Sequence, residues 1–307
     1  MKLPILKAFF ASFAYVTMRV WDVLRANWLG VLLLHVAMIV VMPRYLEPMI
    51  QAQLIDPNAD PTAVFSAMGP ALQWLALLYL AMAIIYPMLI AGNLRPLLRG
   101  EIPSLPFYLN FGMDELRVLM TFILWMVLTL ITFVVGVVAI TAVSAVLSAI
   151  SPAIGGTIAT IGTSAVIIAF VWFMLRMSLM YPATIAERQI GLPHSWRVTK
   201  GNAWRLFAFW FLWLLVFMVL AVIYSAIVLP GYMGAMGELF AAGEDQIAQQ
   251  AASAKINQMQ LDMWDISQPG GIANVAFSYV YTLITIALWN IAAGTAYRFL
   301  TEGAAES

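Results

Sequence analysis

The densest gathering of reactive groups in this chain is Ser195-Trp196-Arg197-Val198-Thr199-Lys200-Gly201-Asn202-Ala203-Trp204-Arg205. Arginine and lysine attract phosphate, hydroxyls donate to it, and a glycine lets backbone N–H groups turn toward it. Such a set suits capture of an anionic headgroup at a membrane surface. The candidate headgroup ligands are Ser195, Trp196, Arg197, Thr199, Lys200, Gly201, Trp204 and Arg205. A second reading stands beside this one: a plain positive-inside anchor with interfacial tryptophans.

Other ionisable positions are few. Asp114 and Glu115 open an apolar run, where acids complement a helix dipole and cap its N–H groups. His35 lies deep in an apolar segment. A neutral imidazole bonded to a backbone carbonyl accounts for it more simply than a proton relay does. Arg176, at the end of another apolar run, reads as a snorkelling side chain. The chain has no cysteine and 2 histidines, so thiolate chemistry is excluded and a histidine metal centre is not expected. No GxxxxGK[ST], HExxH or GxSxG pattern occurs. These gaps argue against an enzyme and against a cofactor.

The groups are set in an unusually apolar chain. Of 307 residues, 63% are hydrophobic and 10% charged, against about 45–50% and 25% in soluble domains. Lipid must therefore solvate much of the surface. A net charge of zero argues against a nucleic-acid partner. Six runs approach the length that crosses a bilayer: Trp28–Val41, Ala71–Ala91, Val118–Val138, Thr157–Leu175, Leu206–Leu229 and Ile272–Ala293. The first is short and must borrow flanking residues. The third continues to Ile150, which requires a kink at Gly136 or a projection beyond the bilayer. The stretch Leu3–Ala14 has the outline of a signal peptide, but Lys7 breaks its apolar run and cleavage is not expected.

Basic residues give the orientation. Of the 15 Lys and Arg residues, only Arg44 and Lys255 fall in the odd-numbered loops. The rest flank the termini and the even-numbered loops, so both termini are expected in the cytoplasm. The opposite loops carry Glu47, Asp56, Asp60, Glu238, Glu244, Asp245, Asp262 and Asp265.

The expected fold is all-α: a single transmembrane domain over residues 1–307, about six crossings, with amphipathic helices on the cytoplasmic surface. Leu105-Pro106 and Leu192-Pro193 each precede an arginine that opens a crossing, Arg117 and Arg205. Tyr86-Pro87 and Tyr181-Pro182 each close one. These echoes suggest three hairpin units over 1–92, 93–175 and 176–307. In Lys2–Arg25, the residues Ile5, Phe9, Phe13, Val16, Val20 and Leu24 recur at helical spacing opposite Lys7, Arg19, Asp22 and Arg25. That face either lies in the headgroup plane or packs on the bundle. The Ala- and Gln-rich stretch between Gly237 and Trp264 predicts an outer helix, broken by the QPGG at Gln268–Gly271.

The string YPATIAERQIGLPHSWRVTKGNAWRLF carries a resemblance. With Ser195, Trp196, Thr199 and Gly201 in a Ser-Trp-x-x-Thr-x-Gly segment, it resembles bacterial membrane proteins related to the membrane domain fused to glycerophosphodiester phosphodiesterases. The resemblance is strongest over Arg176–Leu215. It implies a multi-pass protein of the bacterial inner membrane. It does not import hydrolysis, because the separate catalytic domain has no counterpart in this chain.

Together these readings predict a non-catalytic inner-membrane protein that binds lipid headgroups or organises a membrane-protein partner. The alternative is a transporter of an apolar or lipidic substrate. The small-residue run Thr141–Gly162 permits the close helix packing such a protein uses. A cavity open to lipid favours the alternative; a solid bundle favours the first reading.

Overall fold

The computed structural model describes residues 2–53, 61–101, 111–228, 230–243 and 245–302, and among them the chain is helical without strands. The helices are α1 (Ile5–Met18), α2 (Val20–Gln53), α3 (Pro61–Arg99), α4 (Met113–Ile150), α5 (Pro152–Met177) and α6 (Met180–Glu187). They continue as α7 (Leu192–Val198), α8 (Ala203–Val228), α9 (Pro230–Ala241), α10 (Gln246–Asp262) and α11 (Pro269–Thr301). Six stretches are long and apolar enough to cross a membrane: Val20–Ala52, Phe65–Arg99, Met113–Ile150, Pro152–Glu187, Ala203–Val228 and Pro269–Thr301. The chain is thus a helical membrane bundle with the expected number of candidate crossings.

The short first run does borrow from both sides, since α2 extends well past Trp28 and Val41. The long third run is one unbroken helix of 38 residues, about 57 Å at helical rise. Gly136 does not break it. It faces Val166 of α5, where an added Cβ would come within 3.3 Å. Its role is close approach between helices.

At the centre stands α11, which packs against α1, α2, α3 and α8. Its buried face is built of small residues, Ala287, Ala292, Ala293, Gly294 and Ala296 among them, so neighbouring helices come close. α2 and α3 pair along their length and are joined by a buried amide pair. Asn27 and Asn93 exchange bonds of 2.9 and 2.8 Å, and each also donates to its own helix's carbonyl four residues back. His35 behaves as expected: its Nδ1 lies 2.9 Å from the Val31 carbonyl, and its ring meets Tyr279 edge-on.

The α4–α5 hairpin stands apart from this body. Between Phe122 and Leu175 its buried residues are only Ser144 and Gly155. It is held mainly at its base. There Asp114 accepts from Arg95 at 3.0 Å, Arg99 at 2.6 Å and Arg117 at 3.0 Å, while Glu115 pairs with Arg95 at 2.8 Å. Glu115 also accepts from the Gly112 N–H at 2.8 Å, the capping bond expected of it. The cross-helix ion pairs were not expected, because their arginines lie 15 to 20 residues upstream.

One expectation at the N-terminal end changes. Lys2–Arg25 is not one helix: the backbone turns at Arg19, with φ −115° and ψ 28°, and α2 begins at Val20. Ile5, Phe9, Phe13 and Val16 pack into the core with α8 and α11, whereas Val20 and Leu24 are exposed. Phe13 stacks on the fully buried Trp213 with centroids 4.8 Å apart. Bundle packing therefore claims this face. In the repeat, Leu105-Pro106 lies outside the described residues. So do Asp56, Asp60 and Glu244.

On the opposite side, α10 is the predicted Gln-rich helix, capped by Asp245, which accepts from the Ile247 and Ala248 N–H groups. The QPGG sequence does not precede the last crossing but starts it, with Pro269 in the first turn of α11. Proline suits that position because its missing N–H would have no helical partner there.

Candidate functional site

The predicted headgroup segment forms α7, the turn after it and the first turn of α8. Two of its residues are structural. The last carbonyls of α5 lack helical partners. Ser195 Oγ donates to the Arg176 carbonyl at 2.8 Å, and the Thr199 hydroxyl lies 3.2 Å from the same oxygen and 2.7 Å from Ser195 O. Both residues are fully buried. They clamp α7 onto the end of α5, with both hydroxyls already engaged by backbone carbonyls.

The turn into α8 is built by Gly201, whose φ of +76° lies in the left-handed region that a side chain would strain. Beyond it, Asn202 accepts from the Leu3 N–H at 2.9 Å and Arg205 donates to the Leu3 carbonyl at 2.9 Å. These long-range bonds tie the N-terminal strand of chain to the segment, so Arg205 has one N–H already engaged.

Trp196, Arg197, Lys200, Gly201, Trp204 and Arg205 line one cleft between α5 and α8, of about 1010 Å³. The structure thus brings six of the eight predicted residues to a common cavity. The rest of its lining is largely apolar, including Ile167, Ile168 and Val171 of α5 and Phe207 of α8.

Sequence reasoning undervalued Arg176. It does not snorkel to solvent: it is 5% exposed and lines the cleft. Its guanidinium lies 4.5 Å from the Trp196 ring centroid and 5.7 Å from that of Trp172, and it donates to the Trp196 carbonyl. Its buried Nε has no hydrogen-bond partner among the described residues. The signal was present in the sequence: Trp172 and Arg176 are four residues apart and share a helix face.

Charge separates this cleft from the hairpin base. At the base, Arg95, Arg99 and Arg117 all meet Asp114. Around the cleft, Arg176, Arg197, Lys200 and Arg205 meet no carboxylate among the described residues. Among the described residues, the side chain of Arg197 has only a long contact, 3.4 Å, to the His194 ring. A buried guanidinium without an anion is costly unless a counter-charge arrives. The cleft therefore offers uncompensated positive charge beside an apolar wall, the complement of a phosphate carrying acyl chains.

None of the family models, curated proteins or solved structures compared with this chain matches it.

Proposed function

We propose that this membrane protein is a non-catalytic binder of anionic lipid, holding a phosphate headgroup in the α5–α7–α8 cleft on its cytoplasmic side. The observation that carries the reading is the buried Nε of Arg176, without a hydrogen-bond partner among the described residues, beside three further cations that meet no carboxylate there. Trp172, Trp196 and the exposed Trp204 supply the amphipathic rings that favour the headgroup level. The charge bias of the loops supports a bacterial inner-membrane setting with both termini cytoplasmic. The likeness to the membrane domain of glycerophosphodiester phosphodiesterases supports the same setting. A lipid so held would also present a fixed surface to a membrane-protein partner.

The test is purification in mild detergent, with bound lipid identified by native mass spectrometry. Wild type retains anionic phospholipid, and Arg197→Ala with Lys200→Ala loses it at unchanged yield. A folded double variant that keeps its anionic lipid would reduce the segment to a topology anchor.

The bundle is not solid, since clefts flank the α4–α5 hairpin on both sides. That lateral opening favours the alternative reading, carriage of a lipidic substrate. Fluorescent-lipid flux in proteoliposomes discriminates: flux above that of empty vesicles supports carriage, and its absence supports binding alone.

A further inference from the structure

The second cleft, about 920 Å³, lies between α4 and the wall made by α3 and α11. Val118, Phe122 and Met126 of α4 stand across from Tyr86 and Ile90 of α3, with Trp289 of α11 among the residues behind them. Its rim is exposed at Tyr79 and Phe122, so it opens sideways, where lipid chains lie. Its size falls within the usual range of small-molecule sites.

Among the described residues, no acidic or basic side chain lines this cleft. Just below Ile90 and Val118 is the hairpin base, where Asp114 and Glu115 are both matched by arginine. Yet the lining is not purely apolar. Asn290 is 5% exposed and donates to the Ile286 carbonyl at 3.0 Å, while its own side-chain oxygen accepts no bond among the described residues. The hydroxyls of Tyr86 and Tyr181 likewise have no partner there. A phosphate would enter this cleft without a counter-charge, and a bare hydrocarbon chain would leave those polar groups unpaired.

We propose that this cleft binds an uncharged, hydroxyl-bearing lipid of the diacylglycerol class. Its chains lie against Phe122, Met126 and Trp289, and its hydroxyl and ester oxygens meet Asn290, Tyr181 and Tyr86. The two clefts then divide lipids by charge: the cationic one takes a phosphate headgroup and the neutral one takes a headgroup without phosphate.

The test is photolabelling in nanodiscs with two photoreactive probes, a diacylglycerol and a phosphatidylglycerol, with adducts mapped by peptide mass spectrometry. The diacylglycerol probe should concentrate on α3, α4 and α11 and be displaced by unlabelled diacylglycerol but not by phosphatidylglycerol. Tyr181→Phe should weaken that displacement about fivefold, the worth of one hydrogen bond. Thr285→Trp should abolish the labelling by filling the cleft. Arg197→Ala with Lys200→Ala should leave it intact, which keeps this site separable from the cationic one. Equal labelling of these helices by both probes, with no effect of Tyr181→Phe, would overturn the proposal and leave only a passing annular chain.

Discussion

Asp114→Asn should loosen the joint that holds the α4–α5 hairpin to the bundle. The carboxylate is 10% exposed and receives Arg95, Arg99 and Arg117, of which Arg95 and Arg99 are themselves only 13% and 12% exposed. Removing one partner of a buried ion pair costs about 3–5 kcal/mol. The asparagine oxygen still accepts a hydrogen bond, so the low end applies, about 3 kcal/mol. A double-mutant cycle with Arg95→Gln isolates the pair, with an expected coupling of about 2 kcal/mol. The control is Glu101 with Arg188, a 2.9 Å bond whose side chains are 44% and 63% exposed. That pair should couple by no more than about 0.5 kcal/mol. Reversible unfolding in mixed micelles measures both cycles. Equal couplings would refute the claim that the base is a desolvated joint and not surface decoration.

Phe13→Asp places a charge against buried Trp213 and should destabilise by several kcal/mol, about 3 or more, whereas Lys7→Asp should cost under about 1. Thermal unfolding checks both, and equal losses would contradict the packing of α1 on the bundle. Ser195→Ala with Thr199→Val frees the last carbonyl contacts of α5 and should expose Arg176–Trp196 to proteolysis. Unchanged cleavage in that segment would deny them the clamp role. Reporter fusions at the C-terminus and at Gln249–Gln250 should sit on opposite sides of the membrane; the same side for both would sink the topology.

Much of the fold was legible because lipid imposes length and apolarity on each crossing. The six candidate spans, the Gln-rich helix and the carbonyl-bonded His35 were all visible from local pattern. Long-range partners were not. Asp114 and Glu115 read as a helix start because that contact is local, while Arg95 and Arg99 come from another helix. Ser195 and Thr199 look like phosphate donors in one dimension, and only the return of α7 onto α5 shows their hydroxyls spent on a carbonyl. The same return buries Arg176 beneath Trp196, turning an apparent snorkeller into the deepest cation of the cleft. The break at Arg19 was hidden because apolar periodicity runs on across it.

The most direct measurement is the preference of the cationic cleft for anionic over zwitterionic lipid. Competition of brominated phosphatidylglycerol against phosphatidylcholine, read by tryptophan quenching in bilayers, gives that ratio. Each cation near the surface contributes about 1 kcal/mol, so Arg197→Ala with Lys200→Ala should lower the preference about thirtyfold. A wild-type protein with no preference, or a folded double variant that keeps the full ratio, would contradict the account.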